Sequence, residues 1–292
     1  MSTPPGHPCQ PYAAGPAAAV SRRPVTHRES VAASRSWWDG EALTYYAEHR
    51  DVLGDAELMW GPEGVYESEL GLLGTLRGRD VLEFGAGAAQ GSRWCAAQGA
   101  RVIASDLSGA MLSQGRALDR RSGEAGHQAG PTAYVQCDAT RLPFADASFD
   151  TVFSAYGALP FVADSAGLLR EVGRVLRPGG RLVFSVTHPV RWALPDVPGD
   201  AGLRVRSSYF DRRPYVEVDS RGRVTYTEHH RTLGDRIREI VAAGLDLTDL
   251  VEPEWPAERH HEWGGWSRLR GELIPGTAIF VCRRRPPDEV DG

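Results

Sequence analysis

Short apolar runs alternate with segments of helical period through the middle of the chain. The runs occupy 79–84, 101–105, 133–136, 149–154 and 181–186. Between the last two, Leu168, Leu169, Val172, Val175 and Leu176 fall on one face of a helix, and Arg177-Pro178-Gly179-Gly180 is expected to end it. Strand–helix alternation of this kind predicts right-handed crossovers and an α/β fold with a doubly wound, mostly parallel sheet.

The flanks follow other patterns. Residues 31–74 read as a helical, aromatic cover with Trp37, Trp38, Tyr45, Tyr46, Trp60 and Tyr66. Within 191–230 the alternation stops: 215–219 and 224–228 flank Ser220-Arg221-Gly222-Arg223, the signature of a β-hairpin inserted as a lid. A helix over 232–243, a strand over 246–251 and a final strand over 277–282 complete the pattern. Six prolines and an Ala-rich stretch in 1–30 predict a disordered tail, as does the charged, Pro-containing segment 283–292. The folded domain is expected at 31–282, with its core at 75–190.

The first strand runs into Glu83-Phe84-Gly85-Ala86-Gly87-Ala88-Ala89-Gln90-Gly91. Glycines at a strand end let the backbone turn sharply and approach a ligand, while the next helix offers its N-terminal N–H groups. Asp106 closes the second strand, 19 residues after Gly87. A carboxylate there can accept both hydroxyls of a ribose. These two strands alone leave a nicotinamide-dependent dehydrogenase and a methyltransferase equally open.

The stretches after the third strand (Cys137-Asp138-Ala139-Thr140-Arg141-Leu142-Pro143-Phe144) and before the fifth (Leu169-Arg170-Glu171-Val172-Gly173-Arg174-Val175-Leu176-Arg177-Pro178-Gly179-Gly180) separate the two. Together with the glycine loop and Asp106, they resemble class I S-adenosylmethionine-dependent methyltransferases, especially the branch that includes ubiquinone/menaquinone C-methyltransferases. The resemblance implies a Rossmann-like sheet whose last strand is antiparallel. It implies S-adenosyl-L-methionine as cofactor, with Gly85 and Gly87 facing its methionine part, Asp106 on the ribose and Leu107 against the adenine. Asp138 and Ala139 are expected at the adenine edge, Ser154 near the sulfonium, and Glu83 and Met111 among the remaining contacts. Tyr46 or Trp60 could meet the sulfonium by cation–π attraction. Ala89 departs from the family, which commonly has glycine there.

Composition narrows the chemistry further. All 33 basic residues are Arg, and the chain has neither Lys nor Asn. Schiff-base chemistry, a phosphate-loop lysine and N-glycosylation are thereby excluded. The net charge of −5 argues against a nucleic-acid partner. Four scattered cysteines form no C-x-x-C pair, and no apolar run approaches the ~20 residues of a membrane span. A cytoplasmic protein with neither a membrane nor a metal partner is the expectation. Pro8-Cys9-Gln10 matches a cytosine-methyltransferase nucleophile tripeptide, but it precedes every other motif and is read as coincidence.

The acceptor side of a doubly wound sheet lies at the carboxyl ends of its strands. His188 follows the fifth strand there and is the candidate general base. Tyr156, Arg191, His229 and His230 are the candidate acceptor contacts. Residues 204–238 carry nine Arg against five acids, either a solvated hairpin or a lid for an anionic acceptor. The expected reaction is methyl transfer to a small molecule such as a secondary metabolite or a quinone-like compound. A tRNA base is the alternative acceptor, and a dehydrogenase the distant one.

Overall fold

The computed structural model describes residues 19–124 and 132–286. Structure begins before the expected domain boundary: Ala19–Arg22 is a strand, β1, and His27–Leu53 is a long helix, α1. Thr26 Oγ1 accepts from Glu29 N at 3.2 Å while Glu29 Oε2 accepts from Thr26 N at 2.9 Å, a reciprocal cap that fixes the start of α1. The expectation of a disordered 1–30 is therefore corrected for 19–30; residues 1–18 lie outside the described residues. Strand β1 lacks an apolar stripe because backbone pairing rather than burial holds it.

A one-turn helix, α2 (Glu67–Leu70), leads to the main sheet. Its parallel strands are β2 (Asp80–Phe84), β3 (Arg101–Asp106), β4 (Thr132–Gln136), β5 (Phe149–Ser154) and β6 (Leu176–Thr187). Helices α3 (Gln90–Ala97), α4 (Gly109–Glu124) and α5 (Ser165–Val175) make the crossovers. Helix α5 stops at Val175, so Arg177-Pro178-Gly179-Gly180 is already part of β6 rather than the end of a helix. The register shift opposite Phe149 and Thr151 absorbs that turn of chain.

The lid region is larger than a hairpin. Strands β7 (Tyr215–Val218) and β8 (Val224–Glu228) pair as expected, and β1 adds to β7 to make a three-stranded sheet. Helix α1 packs on this sheet, with Trp37 edge-on to Tyr226 at 4.8 Å. After α6 (Leu233–Ala242) come β9 (Leu245–Val251), the short α7 (Arg268–Gly271) and β10 (Thr277–Arg284). The main sheet has the order β4-β3-β2-β5-β6-β10-β9, with β10 antiparallel to both neighbours. The last strand thus extends to Arg284, into the expected C-terminal tail, of which 287–292 lie outside the described residues.

Neighbouring residues on each central strand serve opposite faces, as the pleat requires. Leu82, Val152, Leu182 and Phe280 join α5 and α6 in one core layer; Val81, Phe153, Val183 and Ile279 join α3 and Trp60 in the other. Burial on both faces explains the near-continuous apolar runs in the sequence.

Candidate active site

The chain leaves β2 through a loop in which Gly85, Gly87 and Ala89 all have positive φ, at 65°, 54° and 62°. At Gly85 a side chain is also sterically barred, since its Cβ would sit 2.6 Å from that of Ala158. Ala89 takes the left-handed conformation with a methyl group, at the N-cap of α3. The carboxylate of Asp106 stitches the loop to the end of β3. Its Oδ2 accepts from Gly87 N and its Oδ1 from Ser108 N, each at 2.8 Å. Beneath them Glu83 accepts from Ser92 Oγ at 2.5 Å, and burial pushes its carboxyl up to about 7. Burial also raises Asp106, against the lowering effect of the Ser108 and Gly87 N–H groups.

These groups border a cavity of about 180 Å³ at the carboxyl edge of the sheet. Glu83, Gly85, Gly87, Asp106, Leu107, Met111, Asp138 and Ala139 all line it, so the loops after β2, β3 and β4 converge as the sequence suggested. Asp138 Oδ1 accepts from Thr140 N at 2.9 Å, and its Oδ2 lies 3.2 Å from His27 Nε2.

The opposite wall belongs to α1. His27, Val31, Ser34, Trp38 and Tyr45 line the cavity from successive turns, joined by Phe161 from the segment after β5. Trp38 meets Tyr45 and Phe161 edge-on, with ring centroids 5.5 Å apart in both pairs. Burial pushes the Tyr45 hydroxyl up to about 12, so it stays protonated. The sequence led to an aromatic helical cover here but to Tyr46 and Trp60 as its contacts; the positions 27, 31, 34, 38 and 45 instead keep to one helix face, and Thr26-x-x-Glu29 marks its start.

Several expected residues lie elsewhere. Tyr46 points away from its neighbour Tyr45 and packs on Ala88 and Leu118, its hydroxyl bonded to Asp55. Trp60 is fully buried against Phe153, and its Nε1 donates to Glu67 at 3.0 Å. Neither borders the cavity, which removes both from sulfonium contact. Ser154 is likewise buried behind the wall; Ala155 lines the cavity in its place. Tyr156 also lies outside the lining, and its N–H donates to Ser185 Oγ at 2.8 Å.

The acceptor candidates of the lid are structural. Arg191 is 1% exposed and its Nη2 lies 3.1 Å from Asp196. His229 Nε2 meets Ser30 Oγ at 2.9 Å, and His230 Nε2 meets Tyr209 O at 2.7 Å. Burial draws both imidazoles down to about 4. His229 borders a second cavity of about 20 Å³, which has room for a water molecule and not for a methyl acceptor. His188, the expected general base, caps the turn after β6 instead: its Nδ1 accepts from Val190 N at 3.2 Å.

The arginines of 204–238 are mostly engaged locally. Arg212 and Arg238 pair with Asp235, Arg213 with Asp211, Arg223 with Asp219, and Arg231 and Arg236 with Glu239. The net charge of the insertion therefore overstates its attraction for an anion. Among the described residues no group of three or more His, Cys, Asp or Glu could hold a metal ion, and no helix is long and apolar enough to cross a membrane.

Residues 82–184 match a family model described as a methyltransferase domain. A demethylmenaquinone methyltransferase of Mycobacterium sp. (strain JLS) is 45% identical over 224 residues, 74% of this chain and 80% of that protein. The ubiquinone/menaquinone biosynthesis C-methyltransferase UbiE of Idiomarina loihiensis is 40% identical over 129 residues, 42% of this chain and 49% of its own. An S-adenosylmethionine-dependent methyltransferase structure from Mesorhizobium loti superposes with a TM-score of 0.54 at 26% identity, covering 74% of this chain and 96% of that one. A second, from Listeria monocytogenes, shares the fold at 21% identity and a TM-score of 0.59, over 75% and 98% of the two chains. The chain belongs to the class I S-adenosylmethionine-dependent methyltransferases, in the branch of the demethylmenaquinone and ubiquinone/menaquinone enzymes.

Proposed function

We propose that the enzyme methylates a flat, apolar, quinone-like small molecule, and that the acceptor ring rests on the wall formed by Trp38, Tyr45 and Phe161. The carrying observation is that wall: three aromatic rings in edge-on contact at one side of a cavity whose other side holds the carboxylates. Planar apolar rings gain from edge-to-face and offset contact with such a surface. The relatives named for demethylmenaquinone support the same class of acceptor.

The cavity suits the cofactor on its own chemistry. Asp106 offers acceptor capacity to a ribose diol, Glu83 to an ammonium group, and Leu107 and Met111 an apolar surface to adenine. Positive φ at Gly85 and Gly87 brings backbone rather than side chains to the cavity edge. Bound there, S-adenosylmethionine supplies an activated methyl group on sulfur. The protein's contribution is then to align an acceptor atom in line with the carbon–sulfur bond and to exclude water. Helix α1 does both, since it closes the cavity and carries two of the three rings. Tyr45, protonated at working pH, can donate a hydrogen bond to a ring oxygen but cannot take a proton.

Labelled methyl transfer to a demethylmenaquinone-type quinol tests the reading. Trp38→Ala should raise the acceptor KM at least tenfold and leave S-adenosylhomocysteine affinity within twofold. Absence of label on any quinol, with cofactor binding intact, would overturn the acceptor class.

A further inference from the structure

Two large apolar side chains stand in water on one segment of the lid: Val205 is 73% exposed and Phe210 is 69% exposed. They alternate with basic residues in Arg204-Val205-Arg206-Ser207-Ser208-Tyr209-Phe210-Asp211-Arg212-Arg213. Arg212 and Arg213 are held by Asp235 and Asp211. Arg204 and Arg206 are exposed, and among the described residues neither forms an ion pair.

The segment is not loose chain. Arg206 N and Ser207 N both donate to Ala193 O, at 2.8 and 3.2 Å. Tyr209 is fixed from two directions, its hydroxyl accepting from Leu233 N at 2.9 Å and its carbonyl meeting His230 Nε2 at 2.7 Å. Arg212 makes two contacts to Asp235, at 2.6 and 3.1 Å. Backbone and anchors thus order a segment on which Val205 and Phe210 stay mostly in water, Phe210 meeting the ring of Tyr209 edge-on at 5.3 Å. Its attachment at Ala193 follows the carboxyl end of β6, the edge of the sheet that also holds the cavity.

We infer that this segment docks the enzyme on an anionic lipid bilayer, with Val205 and Phe210 entering the headgroup–acyl boundary and Arg204 and Arg206 meeting lipid phosphates. Exposed apolar side chains flanked by unpaired arginines match that boundary, which is apolar on one side and negatively charged on the other. RNA would satisfy the arginines and can stack a base on Phe210, but it leaves Val205 in water. A second copy of the chain would need roughly 1,000 Å² of complementary surface, which two side chains do not supply. The expectation of no membrane partner rested on the absence of a spanning segment, and a surface contact requires none. This inference stands on the lid alone and is independent of the acceptor class.

The full-length enzyme is sedimented with vesicles of equal parts phosphatidylcholine and phosphatidylglycerol, and with vesicles of phosphatidylcholine alone. Binding should favour the anionic vesicles and weaken as salt rises to about 0.5 M, where the Debye length shrinks to a few ångströms. Arg204→Ser with Arg206→Ser should cut the partition coefficient by about tenfold or more. Val205→Ser with Phe210→Ser should reduce it to a similar extent at unchanged net charge. Both double variants should keep the wild-type melting temperature and S-adenosylhomocysteine affinity, because all four side chains are exposed. Wild-type protein that ignores anionic vesicles, or whose binding survives either double variant, overturns the proposal. So does binding to total tRNA that depends on the arginines and not on Val205, or a concentration-dependent dimer abolished by Phe210→Ser.

Discussion

Ser30 Oγ lies 2.9 Å from His229 Nε2, a contact between α1 and the end of β8 across 199 residues of chain. The same hydroxyl is 3.1 Å from Thr227 Oγ1 and 3.3 Å from Phe161 O, so one small side chain ties the helix, the lid sheet and the aromatic wall together. Ser30→Ala leaves the buried imidazole without that partner, at a cost of about 1–3 kcal/mol. Urea denaturation should show that loss. Because Phe161 is released with it, the acceptor KM should rise while cofactor affinity stays within twofold. A variant as stable as wild type would mean the contact is idle.

Two buried imidazoles should withdraw stability with acidity in a defined window. His229 and His230 ordinarily titrate near 6.5 and are drawn down to about 4 by burial, so both are neutral in the folded protein above that value. The unfolded chain takes up protons first. Their contribution is therefore complete above pH 6.5 and is lost progressively as pH falls to about 4. At 1.36 kcal/mol per pKa unit, each histidine accounts for on the order of 3 kcal/mol. Asp211 and Asp235, held well below the usual carboxylate range by Arg213 and Arg212, add their loss only at lower pH. Glu83, raised to about 7 by burial, takes up a proton in the same window and works in the opposite sense, so the test is a difference between two proteins. Between pH 6.5 and 4.5 wild type should lose on the order of 3 kcal/mol more stability to urea than His229→Gln does. Identical profiles for the two proteins would mean that the His229 imidazole is not buried neutral.

The strands and the loops that line the cavity were legible because their signals are local. Burial on both faces forces continuous apolar runs, positive φ and the close approach of Ala158 force Gly85, and Asp106 and Asp138 sit at and just past the ends of their strands. Helix α1 hid its role because the stripe facing the cavity mixes His27 and Ser34 with Trp38 and Tyr45, so hydrophobic periodicity is weak. A rotation of about 100° per residue decides that Tyr45 lines the cavity and Tyr46 does not, and composition cannot supply that phase. The histidines and arginines failed for a different reason. Whether a charge is free or paired depends on which side chains the fold turns toward each other, such as Glu239 toward Arg231 eight residues away or Asp196 toward Arg191 five away. A count of residues in a window does not contain that geometry.

Asp106→Ala should be the most damaging single change to cofactor binding. It removes the proposed ribose acceptor and frees Gly87 N and Ser108 N from their shared anchor, so the loop loses order as well as a contact. Hydrogen bonds to a charged group are worth about 1.5–3 kcal/mol each. Titration calorimetry should show S-adenosylhomocysteine affinity reduced at least tenfold; an affinity within twofold of wild type would remove Asp106 from the site.

His188 separates a structural role from a chemical one. It follows β6 at the carboxyl edge of the sheet, where a general base would be sought, yet it does not border the cavity. Its backbone N–H donates to Gly276 O at 2.8 Å, its Nδ1 accepts from Val190 N, and its Nε2 lies 2.8 Å from Glu252 Oε1. Burial lowers its pKa while Glu252 opposes the shift. An imidazole whose Nδ1 lone pair is taken by Val190 N and whose Nε2 faces the Glu252 carboxylate is poorly placed to take a proton from an acceptor. His188→Gln should therefore leave kcat within twofold and the pH–rate profile unaltered. It should lower the melting temperature, since the turn after β6 loses part of its cap at a cost of about 1–2 kcal/mol. A fall in kcat of about a hundredfold or more, with loss of the acidic limb, is the signature of an absent general base. That result would return His188 to the chemistry and require the cavity to extend past Thr187 during turnover.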